Sequence, residues 1–286
     1  MIIERARAKV NLTLEILGRR SDGYHQVRSL IAFARDVYDV ITLDLDRPVG
    51  VEMVGPFSSA VAGPNIAEMA LQAACAAQPG LRAGRITIEK NLPVAAGVGG
   101  GSANAGAVLR ALARANPDFA ESGLDWHQIA LRLGADVPVC FDNRSSLRGG
   151  IGERLDGPGL AFPMSAILVN PMQPVPVDKT AQVFKLLAAK PFDADFDTAT
   201  ALSFVTAGEQ LDYIAVRGND LEAAAKVVAP QIEDVLHALR GLRSVKYAAL
   251  SGAGPTCFAI TADAEAAAVE LTAAYPEWWV AATALE

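Results

Sequence analysis

An α+β fold of two domains is predicted by three features of the 286-residue chain. Strand-period and helix-period segments are mixed without the strict alternation of a parallel α/β sheet. The one marked composition shift, the proline-rich stretch from Pro158 to Pro176, divides the chain near residue 155 into expected domains 1–155 and 156–286. At roughly 150 residues per domain the length also suits two domains.

The elements follow from local pattern. Val10, Leu12, Leu14 and Ile16 alternate with Asn11, Thr13 and Glu15, the period of a half-buried strand, and the run Gly18 to Gly23 then reads as a turn. Val37 to Leu45 and Arg85 to Glu89 read as further strands. Asn65 followed by Glu68 is an N-cap and capping-box signal for an alanine-rich helix ending near Ala77. A second helix is expected after Gly101, ending before Asn116-Pro117, and a third from Asp125 to Gly134. Beyond the proline-rich stretch, which holds a strand at Ser165 to Asn170, helical patterns cover about 178–188, 220–242 and 263–274. Short apolar strands are expected near 247–251, 257–261 and 278–283.

Composition excludes several classes of function. Lys plus Arg number 25 against 32 Asp plus Glu, a net charge of -7, so a nucleic-acid backbone or an anionic membrane finds no general attraction. The mean hydropathy of +0.25 is high, yet the two long uncharged stretches, 157–177 and 91–109, are interrupted by prolines and by glycines respectively. A bilayer helix needs about 20 predominantly apolar residues in one helix. Charged residues occupy Met1 to Lys9, where a signal peptide needs an apolar segment, so a soluble, cytoplasmic protein is expected. Three scattered cysteines and three scattered histidines give no disulfide scaffold and no metal-ligand spacing. His127 and His237 lie in helical patterns and read as structural, and Trp278 and Trp279 read as packing of the second domain.

Chemistry concentrates in a few segments. Pro93, Val94, Ala95, Ala96, Gly97, Val98, Gly99, Gly100, Gly101, Ser102 and Ala103 lead from a strand into a helix. Clustered glycines let backbone N–H groups converge, and a helix N-terminus adds partial positive charge, so this loop is suited to an anion such as phosphate. The alternative is a flexible glycine-rich turn. It is not a Walker A loop, lacking Gly-Lys-Ser/Thr, nor a G-x-G-x-x-G dinucleotide loop. A second glycine cluster, Gly252 and Gly254 within Leu250 to Thr256, reads alone as a tight hairpin. Asp136, in Gly134-Ala-Asp-Val-Pro138, is either part of a helix-ending turn or a paired or catalytic carboxylate. Lys9 either ends a solvated strand or serves a site, and His25 is a loop histidine that by itself signals nothing.

Taken together, these segments resemble the GHMP kinase superfamily. Ala8-Lys9-Val-Asn11-Leu12, Pro93 to Ala103 and Leu250 to Thr256 stand in the order of its three motifs. Gly18 to His25, Gly99 to Ser102, Leu133 to Pro138 and Gly149 to Glu153 resemble more narrowly the branch acting on 4-diphosphocytidyl-2-C-methyl-D-erythritol, rather than mevalonate-, homoserine- or galactose-type kinases. Lys90 to Pro93, Asn65 and Asn219 to Leu221 also fit. Two departures are visible: Ala103 stands where a second Ser is frequent, and Lys179 interrupts the approach to Phe184.

The resemblance implies a two-domain GHMP kinase fold, with a ribosomal-protein-S5-like N-terminal domain that binds ATP and a ferredoxin-like C-terminal domain. It implies ATP-dependent phosphorylation of the 2-hydroxyl of that substrate in non-mevalonate isoprenoid (terpenoid) biosynthesis, with Mg²⁺ as cofactor. Asp136 would be the general base and Lys9 the charge-stabilising residue. Nucleotide contacts would come from Asn65, Lys90 and Pro93 to Ala103, with Ser102 near the β-phosphate or Mg²⁺. Tyr24 and Phe184 would flank the cytosine ring, His25 would meet its polar edge, and Asn11, Thr180, Gly252 and Gly254 would complete the substrate pocket. The partners implied are these two small molecules alone. Rival readings are another GHMP small-molecule kinase and a silent nucleotide-binding protein.

Overall fold

The computed structural model describes residues 1–61, 65–120, 124–193 and 202–286. In chain order its elements are β1 (Ile2–Asn11), β2 (Glu15–Arg19), β3 (His25–Asp44), β4 (Gly50–Val54), α1 (Ile66–Ala77), β5 (Arg85–Glu89), α2 (Gly100–Ala115), α3 (Trp126–Leu133), α4 (Val137–Asp142), β6 (Ser146–Gly149) and β7 (Arg154–Pro158). There follow β8 (Met164–Asn170), α5 (Lys179–Leu186), α6 (Ala207–Arg217), α7 (Glu222–Val228), α8 (Gln231–Gly241), β9 (Val245–Leu250), β10 (Cys257–Thr261), α9 (Ala264–Ala274) and β11 (Trp279–Leu285). Two compact units interleave along the chain. One holds residues 1–9, 37–94 and 99–143, and the other 10–36, 95–98 and 144–286.

In the first unit β5 pairs antiparallel with the end of β3 and parallel with β4. Ile41, Leu43, Ile86 and Ile88 are fully buried, as are Ala105, Val108, Leu109 and Leu112 of α2. Helix α1 begins where the sequence predicts, because the Asn65 side chain accepts from the Ala67 N–H at 3.0 Å. Glu68 does not complete the capping box; its carboxylate accepts instead from Gln72. Helices α2 and α4 pack closely for a reason written at Gly106: a Cβ there would lie 2.6 Å from the Cys140 carbonyl carbon. The small face of α2 thereby fixes where α4 starts, and the N-cap of α4 is Asp136.

In the second unit the strands run β11-β8-β10-β9, all antiparallel. With helices between β8 and β9 and between β10 and β11, this is the βαββαβ arrangement of a ferredoxin-like sheet. Its core includes Ile167, Val169, Val183, Leu236, Leu239 and Leu250, with Trp278 8% exposed and stacked on Tyr275 at 3.9 Å.

Several elements differ from expectation. The first alternating strand breaks after Asn11, and Asn11 and Thr13 are as buried as Val10 and Leu12, so neither face is solvated. Strand β2 runs to Arg19, shortening the expected turn. The strand expected at 37–45 is the second half of the 20-residue β3. The helical pattern at 220–242 is two helices, parted at Ala229-Pro230, where proline cannot donate to a continuing ladder. The apolar run after Asp136 is helix α4, with Pro138 in its first turn. Helix α6, capped by Thr206 accepting from Glu209 N–H at 3.1 Å, was not expected. Among the described residues no helix is long and apolar enough to cross a membrane.

Candidate active site

The first unit assembles two buried lysines, each paired with a carboxylate. Lys9 is 4% exposed, and its Nζ donates to Asp136 Oδ1 at 2.8 Å. The reading of Lys9 as a solvated strand end is thus set aside: β1 is buried on both faces there. Asp136 sits in α-region backbone at the N-cap of α4 but caps nothing with its side chain, which turns to Lys9 and stays about half exposed at 45%. A half-exposed carboxylate with one ammonium partner has free lone pairs with which to accept a proton or hydrogen bond.

The glycine-rich segment meets the same lysine. Gly99, at φ +66°, is the N-cap of α2, and a Cβ on it would lie 3.2 Å from Lys9 Cβ and Cε. Glycine is required there both for the left-handed backbone and for the close approach. No side chain caps α2, so the positive end of a 16-residue helix is left for an anion. A Cβ on Gly101 would meet nothing within 4 Å, which marks open space at this helix end. Ala95 adopts φ +56°, an uncommon conformation for a residue with a Cβ.

Lys90, also 4% exposed, pairs with the fully buried Asp39, and a Cβ on Gly100 would lie 3.3 Å from Lys90 Nζ. The other Asp39 oxygen accepts from Asn91 N–H at 2.6 Å and Leu92 N–H at 2.7 Å. One carboxylate therefore fixes both Lys90 and the strand-to-loop exit. Asp39 was missed in the sequence, although a signal exists: in β3 it shares the phase of Val37, Ile41 and Leu43, all buried. An acid on the apolar phase of a strand needs a buried partner.

In the second unit Asn11 and the C-terminal glycine turn come together. Ser251 Oγ accepts from Asn11 N–H at 3.2 Å and donates to the Gly97 carbonyl at 3.3 Å, while Thr256 N–H donates to the Ala96 carbonyl at 2.9 Å. Asn11 Nδ2 donates to Ser29 Oγ at 2.8 Å. A Cβ on Gly252 would approach Asn11 Oδ1 to 3.3 Å. Leu250 to Thr256 is indeed a turn between two strands, β9 and β10, but one fastened to residues 95–98.

His25 stacks obliquely on Phe184, with centroids 4.9 Å apart and planes at 32°. Burial and the nearby Arg19 hold the His25 pKa below its usual value of 6.5. Tyr24 is 60% exposed, its N–H tied to Asp22 Oδ1 at 3.1 Å, and Thr180 is exposed on the first turn of α5. Asn65 serves as the cap of α1. His127 Nε2 lies 2.7 Å from Asp142 Oδ1.

Two family models match the chain: the GHMP kinases N terminal domain at residues 65–144 and the GHMP kinases C terminal at 199–277. A 4-diphosphocytidyl-2-C-methyl-D-erythritol kinase of Azorhizobium caulinodans is 45% identical over 299 residues, covering 99% of either chain. One of Methylobacterium radiotolerans is 45% identical over 300 residues, covering 100% of this chain and 99% of its own. The chain belongs to this kinase family, within the GHMP kinases. A crystal structure of 4-(cytidine 5'-diphospho)-2C-methyl-D-erythritol kinase superposes with a TM-score of 0.74 at 31% identity, covering 99% of both chains. Homoserine kinase from Cytophaga hutchinsonii, at 17% identity and a TM-score of 0.62, shares the fold. The expected two-domain GHMP kinase fold is thus borne out, and the chain is an ATP-dependent small-molecule kinase.

Proposed function

We propose that this kinase transfers the γ-phosphoryl group of ATP to the 2-hydroxyl of 4-diphosphocytidyl-2-C-methyl-D-erythritol, a step of isoprenoid precursor synthesis. The observation that carries the reading is the Lys9–Asp136 pair beside the uncapped N-terminus of α2. Asp136 accepts the hydroxyl proton as the new O–P bond forms and the bond from the γ-phosphorus to the β–γ bridging oxygen breaks, releasing ADP. Lys9 orients that carboxylate and offsets negative charge that develops on the transferred group. The amides of Gly99 to Ser102 receive the triphosphate, and Lys90, fixed by Asp39, adds positive charge at the same helix end. Asn65 and the rest of Pro93 to Ala103 shape the nucleotide side.

Among the described residues no group of three or more His, Cys, Asp or Glu side chains could hold a metal ion unaided. Mg²⁺ would enter with the nucleotide, with Ser102 near the β-phosphate or the ion, and would neutralise phosphate charge. His25, Phe184 and Tyr24 serve the cytosine. A neutral imidazole presents one donor and one acceptor, which discriminates among base edges. Asn11, Thr180, Gly252 and Gly254 line the remainder. The N-terminal match falls within the expected module 1–155 and the C-terminal match within 156–286, whereas the compact units place residues 10–36, 95–98 and 144–155 with the second. Free cysteines at 75, 140 and 257 support a reducing, cytoplasmic setting.

The test is a coupled ADP-release assay with Mg-ATP, offering the cytidine substrate, mevalonate and homoserine in parallel. Turnover with the cytidine substrate alone is expected. Turnover with another alcohol would keep the kinase and discard the substrate reading.

A further inference from the structure

Lys179 is 6% exposed and opens α5, the helix end where a positive charge is disfavoured. Among the described residues its Nζ has a single partner, the carbonyl oxygen of Gly254. An ammonium has three donors, and burying it without a carboxylate is destabilising. Burial accordingly pulls its pKa from 10.5 to about 8. Something at this position outweighs that cost.

The acceptor identifies it. The same Gly254 oxygen faces the glycine-rich loop, since a Cβ on Gly97 would lie 2.4 Å from it. The turn carrying Gly254 is fastened to that loop at two further points, Thr256 N–H to Ala96 O at 2.9 Å and Ser251 Oγ to Gly97 O at 3.3 Å. Gly254 N–H closes the turn on Ser251 O at 3.0 Å, so the turn moves as a unit. Lys179 Nζ donates to that same Gly254 oxygen.

We propose that Lys179 is a positioning residue for the nucleotide: through the Gly254 carbonyl it sets the Ala95–Val98 segment of the phosphate loop. This rests on the reading of Pro93 to Ala103 as that loop. Lys179 touches no reacting atom, and it acts on nucleotide affinity rather than on the chemical step.

The experiment titrates a non-hydrolysable ATP analogue with Mg²⁺ into wild type, Lys179→Met, Lys179→Ala and Lys179→Arg by calorimetry, and measures steady-state kinetics and melting temperature on each. Loss of a hydrogen bond from a charged donor predicts about tenfold weaker nucleotide binding in Lys179→Met. At saturating ATP the turnover number stays within about twofold, because uniform binding is lost and transition-state contacts are kept. Lys179→Arg, which retains a donor, recovers most of the affinity. Wild-type nucleotide affinity in a folded Met or Ala variant overturns the proposal, whatever happens to the melting temperature. A wild-type protein that binds no ATP analogue fails differently, by removing the phosphate-loop reading itself.

Discussion

In the first compact unit the two buried lysines, Lys9 and Lys90, each face a carboxylate, whereas in the second the buried Lys179 has, among the described residues, only a peptide carbonyl as partner. Ammonium and carboxylate compensate each other's burial, so the first arrangement can keep full charges beside a helix N-terminus, where phosphate chemistry needs them. A lone buried ammonium is compensated by nothing but a carbonyl dipole. Its value lies in where it holds the backbone. The second unit presents mainly backbone turns and an aromatic pair, His25 on Phe184, which suit recognition more than proton transfer.

The comparison breaks most visibly at Asp136. Asp136→Asn keeps the shape but removes the proposed base, and turnover is expected to fall by roughly 10³-fold, within the range for general-base loss. Single-turnover kinetics measure it, and a rate within tenfold of wild type would leave the first unit without its catalytic carboxylate. Next in size is Asp39→Ala, which strands Lys90 and two loop N–H groups. Removing one partner of a buried pair costs about 3–5 kcal/mol, read from urea unfolding. A cost below about 1 kcal/mol would mean that Lys90 is not held by charge, and the contrast with Lys179 would vanish.

Gly106→Ala sharpens the structural side of the contrast. Its Cβ must displace the Cys140 backbone, at an expected cost of about 1–3 kcal/mol together with a reduced turnover number, since α4 carries Asp136. Unchanged turnover in a destabilised variant would separate helix packing from catalysis. The smallest effect belongs to the second unit. His25→Ala is expected to raise KM for the cytidine substrate about tenfold and KM for ATP hardly at all, as one lost hydrogen bond would. Burial and Arg19 lower the His25 pKa from its usual value, so the ring stays neutral to lower pH than a free imidazole. Wild-type KM for that substrate should therefore stay flat through neutral pH and rise only at a lower pH than the titration of a free imidazole would give. A rise beginning above pH 7 would contradict a neutral imidazole as the recognising form.

Much of the molecule was legible before folding. Caps at Asn65, Asp125 and Asp263 announce their helices because the side-chain oxygen accepts a backbone N–H two or three residues on, a purely local bond. The β5 strand and the α2 helix follow from period alone, and the glycine loop from composition. Where local pattern failed, a distant partner had decided. Asn11 and Thr13 look solvent-facing until their buried partners are in place, and the short α4 was not expected as a helix because its packing surface is supplied by Gly106 of α2. Asp39 lay unmarked for the same reason: its three donors lie some fifty residues away.

The sequence by itself therefore determined the family, the order of the motifs and most helix starts, since these depend on residues near one another in the chain. Only the tertiary structure decided which charges are paired. Lys9 and Asp136 are 127 residues apart, and Lys179 and Gly254 are 75. No periodicity spans such separations; whether an ammonium meets a carboxylate or a carbonyl is fixed by how the elements between them pack.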